Sequence, residues 1–258
     1  MPDAKTFVAN APAWIDLSSR DADASRDFYS KLFGWKVDVQ GPEAAGYGLA
    51  KADGKDVAGI GPAQDPNAPT AWNIYIGTRD AAAAAKNVEQ AGGKVIVPPF
   101  DVLTQGKMAV FQDPSGAFIS VWEPKQMYGF EVQGKDGSYG WAELSSRGID
   151  KASEFYTKVF GWTTKVSPMG EGQPPYTEFQ LDGQSIAGGM EMNPMVPKEV
   201  PSYWMPYFTV SDVDKAHDKA IGLGAHEMVP PQEFPGGRFS ILSDPQGAAI
   251  GLMKMRQS

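Results

Sequence analysis

The chain has 258 residues, an ordinary globular balance of 42% hydrophobic and 21% charged side chains, and a formal net charge of −8. That acidity, with no run of Lys or Arg, argues against nucleic acid, and no apolar stretch approaches the roughly 18–20 residues needed to cross a bilayer. The absence of cysteine removes disulfides, thiolate nucleophiles and cysteine metal ligands together; a cytoplasmic protein with no leader segment is the expectation.

In chain order, WIDLSSRD (14–21) predicts a strand in which Ile15 and Leu17 alternate with Trp14, Asp16 and Ser18. Asp21 or Asp23 is placed to cap the helix that follows, where Phe28 and Leu32, like Tyr29 and Phe33, share a face. Gly34 sits where a helix ends in a left-handed residue, and Trp35 to Val39 resumes as a strand. The corner is therefore FYSKLFGW (28–35), a helix stop and a strand start. WNIYIGTRDAAAAAKNVEQAGG (72–93) repeats the strand–helix plan; its AAAAAK (81–86) is a good helix former and nothing more. DPSGAFISVW (113–122) is a turn leading into a last strand.

The chain then repeats itself. FYSKLFGW returns as FYTKVFGW (155–162), and WIDLSSRD faces WAELSSRG (141–148). YGLAKADG (47–54) faces YTEFQLDG (176–183), WNIYIGTRD (72–80) faces WMPYFTVSD (204–212), and DPSGAFISVW faces DPQGAAIGLM (244–253). Two copies of one domain, 10–124 and 139–256, are joined by a Gly-rich linker, 125–138. The order of elements, the FYxxxFGW corner and the DPxG turn resemble the vicinal oxygen chelate superfamily, which includes glyoxalase I, extradiol dioxygenases and bleomycin-resistance proteins. More narrowly, the chain is similar to the tandem glyoxalase-like proteins of actinobacteria, often loosely labelled hydroxylases. The resemblance implies an α+β fold: a tandem repeat of two glyoxalase-like domains, each built from two βαβββ units forming a curled mixed sheet around a pocket.

The resemblance also implies a divalent metal held by His and Glu on the first, fifth and last strands. Counted from the acidic caps and the DPxG turns, those positions are Trp14, Asn73 and Ser120 in one copy and Trp141, Met205 and Gly251 in the other. None carries an imidazole or a carboxylate. The two histidines do not restore a site: His217 falls at the edge of a helical apolar stripe and His226 at the start of a strand, both read as surface or boundary residues. The expectation is no metal and no other cofactor, with a divalent metal as the second choice.

Strand alternation then lines the first face with Trp14, Asp16, Ser18, Asn73, Tyr75, Ser120 and Trp122. The second face carries Trp141, Glu143, Ser145, Met205, Tyr207, Thr209, Gly251 and Met253, with Glu178 from a middle strand as a further candidate. Apolar walls with a few polar groups suit a small molecule, and Gly251 in place of a ligand is expected to widen the second pocket. Asp16 and Glu143 are the candidate acid–base residues, since a desolvated carboxylate among aromatics holds its proton more tightly. The Pro-rich segments 61–70 and 192–204 precede matching strands and are candidate lids. Three functions stay open. The first is a metal-independent binder of an aromatic or polyketide-like molecule, for sequestration, resistance or acid–base chemistry. The second is a metal-dependent glyoxalase or dioxygenase, and the third an interaction protein that has kept only the fold, with Trp14 and Trp141 filling the vacated space. A monomer or weak homodimer is expected, because two copies in one chain supply the pairing internally.

Overall fold

The computed structural model describes residues 7–170 and 174–256; the start of the chain, read above for a leader, lies largely outside them. The first half runs β1 (Pro12–Ser19), α1 (Ala22–Phe33), β2 (Lys36–Val39), β3 (Gly48–Ala52) and β4 (Lys55–Pro62). It continues with β5 (Ala71–Gly77), α2 (Ala81–Gln90), β6 (Lys94–Val102), β7 (Gly106–Gln112) and β8 (Phe118–Pro124). The second half repeats this as β9 (Ser138–Ser146), α3 (Ile149–Phe160), β10 (Thr163–Ser167), β11 (Tyr176–Leu181) and β12 (Gln184–Glu191). It ends with β13 (Tyr203–Thr209), α4 (Val213–Gly222), β14 (His226–Phe234), β15 (Gly237–Ser243) and β16 (Ala249–Met255).

Each half makes one eight-stranded mixed sheet, in the orders β2-β3-β4-β1-β5-β8-β7-β6 and β10-β11-β12-β9-β13-β16-β15-β14. Each is two βαβββ units joined back to back: β1 runs parallel to β4 within its own unit and antiparallel to β5, the first strand of the next. The α+β tandem fold expected from the repeat is the fold found. Asp21 caps α1, its side chain accepting from the Ala24 N–H, and Gly34 ends that helix at φ 74°. Gly161 ends α3 in the same way at φ 72°.

The FYxxxFGW corner does more than turn the chain. Tyr29 of α1 donates to Asp244 Oδ2 of the second half at 2.8 Å, and Tyr156 of α3 donates to Asp113 Oδ2 of the first at 2.8 Å. Each phenol also accepts an indole N–H from its own half, Trp72 at 2.9 Å and Trp204 at 2.7 Å. The corner tryptophans cross over as well: Trp35 Nε1 donates to the Gly137 carbonyl and Trp162 Nε1 to that of Asn10. The two aspartates belong to the DPxG turns. Their other oxygen already holds the turn, Asp113 Oδ1 accepting from Ser115 and Ala117 and Asp244 Oδ1 from Gln246 and Ala248. Burial raises the Asp244 pKa, against the pull of the hydrogen bonds it accepts.

Around these bonds the core is continuous from one half to the other. Ile15, Leu17, Phe28, Tyr29 and Ile74 are buried in the same cluster as Phe155, Tyr156, Trp162, Phe179 and Phe208, and Phe208 packs on Phe33 with ring centres 4.9 Å apart.

One expectation about this region is corrected. His217 is buried at 4% exposure rather than lying at the surface, because its Nε2 meets Glu227 Oε2 of β14 at 3.0 Å. His226 is exposed at the start of β14, as its position indicated.

Replacing Tyr29 or Tyr156 by Phe strands a buried carboxylate oxygen and an indole N–H together. Each single variant is expected to lose about 1–3 kcal/mol of stability, measured by urea unfolding. A loss within error of zero would show that the crossing bonds do not hold the halves together.

Candidate functional site

The side of each sheet turned away from the helices brings the sequence-predicted residues together. In the first half, β1 and β5 set Asp16 opposite Asn73 and Trp14 opposite Tyr75, while β8 adds Ser120 beside Tyr75. The half-buried Asp16 carboxylate accepts from Asn73 Nδ2 at 2.8 Å on Oδ1, and from the Tyr75 and Tyr47 hydroxyls at 2.9 and 3.3 Å on Oδ2. Trp14 Nε1 in turn donates to the Tyr47 hydroxyl at 3.0 Å. Trp122 is buried at the same face, its Nε1 bonded to the Met127 carbonyl of the linker at 2.8 Å.

The second half repeats the plan with changed parts. β9 and β13 set Glu143 opposite Met205 and Trp141 opposite Tyr207. The Tyr207 hydroxyl donates to Glu143 Oε1 at 3.1 Å, Tyr176 stands beside the same carboxylate, and Trp141 Nε1 donates to the Tyr176 hydroxyl at 3.0 Å. Met205, Tyr207 and Met253 form a small cluster of their own, flanked by half-buried Trp141, Tyr203 and Phe239.

Tyr47 and Tyr176 were not among the predicted lining residues, yet each sits at the centre of its cluster. Their signal lay in the repeat itself, since YGLAKADG and YTEFQLDG begin on the same tyrosine. Glycines make room for both. Gly59 and Gly188 lie opposite Asp16 and Glu143 on the neighbouring strand, and a Cβ at either would run into the Tyr47 or Tyr176 hydroxyl. Gly251 works in the same way and corrects an expectation: it does not widen the second pocket, because the Tyr207 ring lies directly against it.

Glu178 takes no part in the cluster's hydrogen bonds. Its carboxylate accepts from Ser185 at 2.7 Å and pairs with Lys165 at 3.5 Å. The Pro-rich loops are fastened by the arginines of the two LSSR segments: Arg20 bonds the Asn67 and Ala68 carbonyls, and Arg147 those of Val196, Pro197 and Val200.

Burial pushes both carboxyl pKa values up, and the phenol hydrogen bonds, with that of Asn73 at Asp16, oppose the shift without cancelling it. The phenols are pushed up too, first by burial and then by the neighbouring carboxylate, so Tyr47, Tyr75, Tyr176 and Tyr207 stay protonated donors. Each face thus offers a carboxyl that binds its proton more tightly than in water, set among O–H donors and aromatic walls, an arrangement able to orient a small molecule or exchange a proton with it.

The model of the Glyoxalase/Bleomycin resistance protein/Dioxygenase superfamily matches residues 11–121 and again 138–252. The chain belongs to this superfamily. Among its relatives, the anthracycline biosynthesis protein DnrV of Streptomyces peucetius is 39% identical over 97% of this chain and 95% of its own length. CFP32 of Mycobacterium bovis is 34% identical over 98% of both. A Mn(II)-bound glyoxalase from Novosphingobium aromaticivorans shares the fold, with a TM-score of 0.66 at 18% identity over 95% of this chain and 82% of that one.

A superfamily metal of that kind does not fit the residues present here. Among the described residues, no three His, Cys, Asp or Glu side chains come together. Each face holds one clustered carboxylate, and phenol donors, with an amide N–H at Asp16, direct their positive ends at its oxygens, where a cation would have to sit.

The raised carboxyl pKa values fix the sign of a pH effect. Both groups hold their protons more tightly folded than unfolded. The stability they contribute is therefore fully present below the unfolded values of 3.8 and 4.5 and is lost as the pH rises through the higher folded ones. The stability of the wild type relative to the D16N/E143Q double variant is expected to fall as the pH is raised from acid to neutral, read by urea unfolding along a pH series. A difference that grows with pH would contradict the desolvated placement of both groups.

Proposed function

We propose that this chain is a metal-independent superfamily member that binds a small aromatic, polyketide-like molecule, either to sequester it or to exchange a proton with it at a carboxyl–phenol cluster. The observation that carries the reading is the pair of carboxylates, Asp16 and Glu143, each set among tyrosines where a metal-binding relative needs imidazole and further carboxylates. Apolar walls from Trp14, Tyr75 and Trp122, and from Trp141, Tyr207 and Met253, favour a flat ligand over a small polar one. The printed name of DnrV points the same way, since anthracyclines are polycyclic aromatic polyketides. The residues assigned to the ligand are those lining the two faces, with Asp16 and Glu143 as the acid–base groups. Ser120 and Gly251 serve by seating Tyr75 and Tyr207.

No helix among the described residues is long and apolar enough to cross a membrane.

The test has two arms on the full chain, purified without a histidine tag. After dialysis against Mn, Fe, Ni and Zn in turn, mass spectrometry is expected to find far less than one metal ion per chain in every case. Titration with a hydroxylated anthraquinone is expected to quench tryptophan fluorescence saturably. A stoichiometric metal would overturn the metal-independent reading, and no saturable quenching by any polycyclic aromatic would overturn the ligand class.

A further inference from the structure

The two faces are built on one plan but are not equivalent, and the difference lies at a single cross-strand pair. Asn73 stands opposite Asp16, and Met205 stands opposite Glu143. Resting on the reading above, we propose that the Glu143 face of the second half is the ligand site. It takes a flat polycyclic aromatic whose hydroxyl hydrogen-bonds Glu143 in the place that the Asn73 amide occupies in the first half.

A carboxylate has about four acceptor positions. Asp16 gives one to Asn73 and others to the Tyr75 and Tyr47 hydroxyls, so three protein donors converge on it. Glu143 keeps the two phenols, Tyr207 and Tyr176, but a methionine thioether donates nothing. The position filled by an amide N–H in the first half is therefore open to a donor from outside. A hydroxyl on an aromatic ring supplies that donor, and the ring's faces suit the polarizable sulfurs of Met205 and Met253.

Coverage separates the faces in the same direction. Phe130 of the linker packs on Trp14 with ring centres 5.5 Å apart, and Trp14 keeps only 3% of its surface. The linker is fixed there by the Phe130 N–H bonded to the Ala13 carbonyl at 2.9 Å and by the Met127 carbonyl on Trp122. Through Phe130 the first face is absorbed into the main core. In the second half Met205, Tyr207 and Met253 are as deeply buried but stay separate from that core, and the opening lies at their border, where Trp141, Tyr203 and Phe239 are half-exposed. Tyr203 adds one more phenol near Glu143, itself bonded to Ser145, and its pKa is raised by burial and then by the Glu143 charge. The first half fills one more acceptor of its carboxylate from within the protein and buries its tryptophan; the second presents the same chemistry with that acceptor open and Trp141 half-exposed.

The experiment uses the full chain labelled with 13C at its methionine methyls and titrated with 2,6-dihydroxyanthraquinone, whose hydroxyls are too far from the ring carbonyls to bond them internally. One probe per chain is expected to bind, moving the Met205 and Met253 methyl signals while Met108, across from Trp122 on the first face, stays still. Parent anthraquinone, which lacks the hydroxyls, should bind about tenfold more weakly, the equivalent of one hydrogen bond. The M205N variant, which restores the internal donor, should weaken the dihydroxy probe by about the same factor. Its thermal unfolding is recorded alongside, and the parent-compound comparison needs no variant at all. Movement at Met108 instead of Met205 and Met253, or two probes per chain, would overturn this inference and leave the proposed ligand class standing. Equal affinity for the two anthraquinones would overturn the role of Glu143. Binding at neither face would overturn both readings.

Discussion

The structure depends on a reciprocal pair of buried hydrogen bonds, Tyr29 to Asp244 and Tyr156 to Asp113, each joining the helix of one half to the last turn of the other. A buried carboxylate is costly unless its acceptors are filled, and a buried phenol must find a partner. The cheapest arrangement satisfies both at once, and it can do so only if the halves pair in one orientation. Trp72 and Trp204 complete the set by donating to the same phenols. The interface is thus specified by groups that tolerate no slippage, while Phe33, Phe208 and their neighbours supply non-directional burial around them.

That constraint decides what is left over for function. With the helix-bearing sides of both sheets meeting in one core, the clustered polar groups of each half stand on the opposite sheet faces. There strand alternation has already placed a carboxylate, a phenol and an indole, and Tyr47 and Tyr176 add a second phenol to each. In the first half hydrogen bonds pass from Trp14 to Tyr47 to Asp16, and in the second from Trp141 to Tyr176 and from Tyr207 to Glu143, so these side chains hold one another in position. Glycine at 59, 188 and 251 is what allows the tyrosine rings to lie flat on the sheet; the same residue type that first suggested a vacant space is the one that a ring needs beneath it.

Much of this was legible in the residues because it is local or repeated. Helix caps at Asp21 and Gly34 depend on a few neighbouring backbone groups, and the alternation that puts Trp14 and Asp16 on one face depends only on the period of a strand. The lining at Asn73, Tyr75, Ser120, Trp141, Met205 and Tyr207 follows from the same period carried across aligned copies. Three features were misread or missed. Tyr47, just before β3, and Tyr176, at the start of β11, are placed against the carboxylates by hairpin pairing, with β-bulges between Ala50 and Lys51 and between Phe179 and Gln180. Gly251 was read as space because its strand neighbour's rotamer is invisible in sequence. His217 was placed at a boundary because its partner, Glu227, sits on the next strand.

The sequence by itself determined the fold, its duplication, the identity of the six positions where a metal ligand is missing, and the two carboxylates that remain. The duplication and the two carboxylates rest on strand periodicity and on the match between the copies, while the fold and the six positions rest on the resemblance of the motifs to the superfamily; all of these survive without coordinates. Only the tertiary structure decided that the corner tyrosine reaches an aspartate 215 residues away. It alone decided too that one carboxylate accepts from Asn73 while the other faces Met205, and that the linker covers Trp14 by laying Phe130 on it. The reason is physical: hydrogen-bond saturation and exposure are properties of groups brought together from distant parts of the chain, and no local pattern encodes which of two nearly identical faces will be left open.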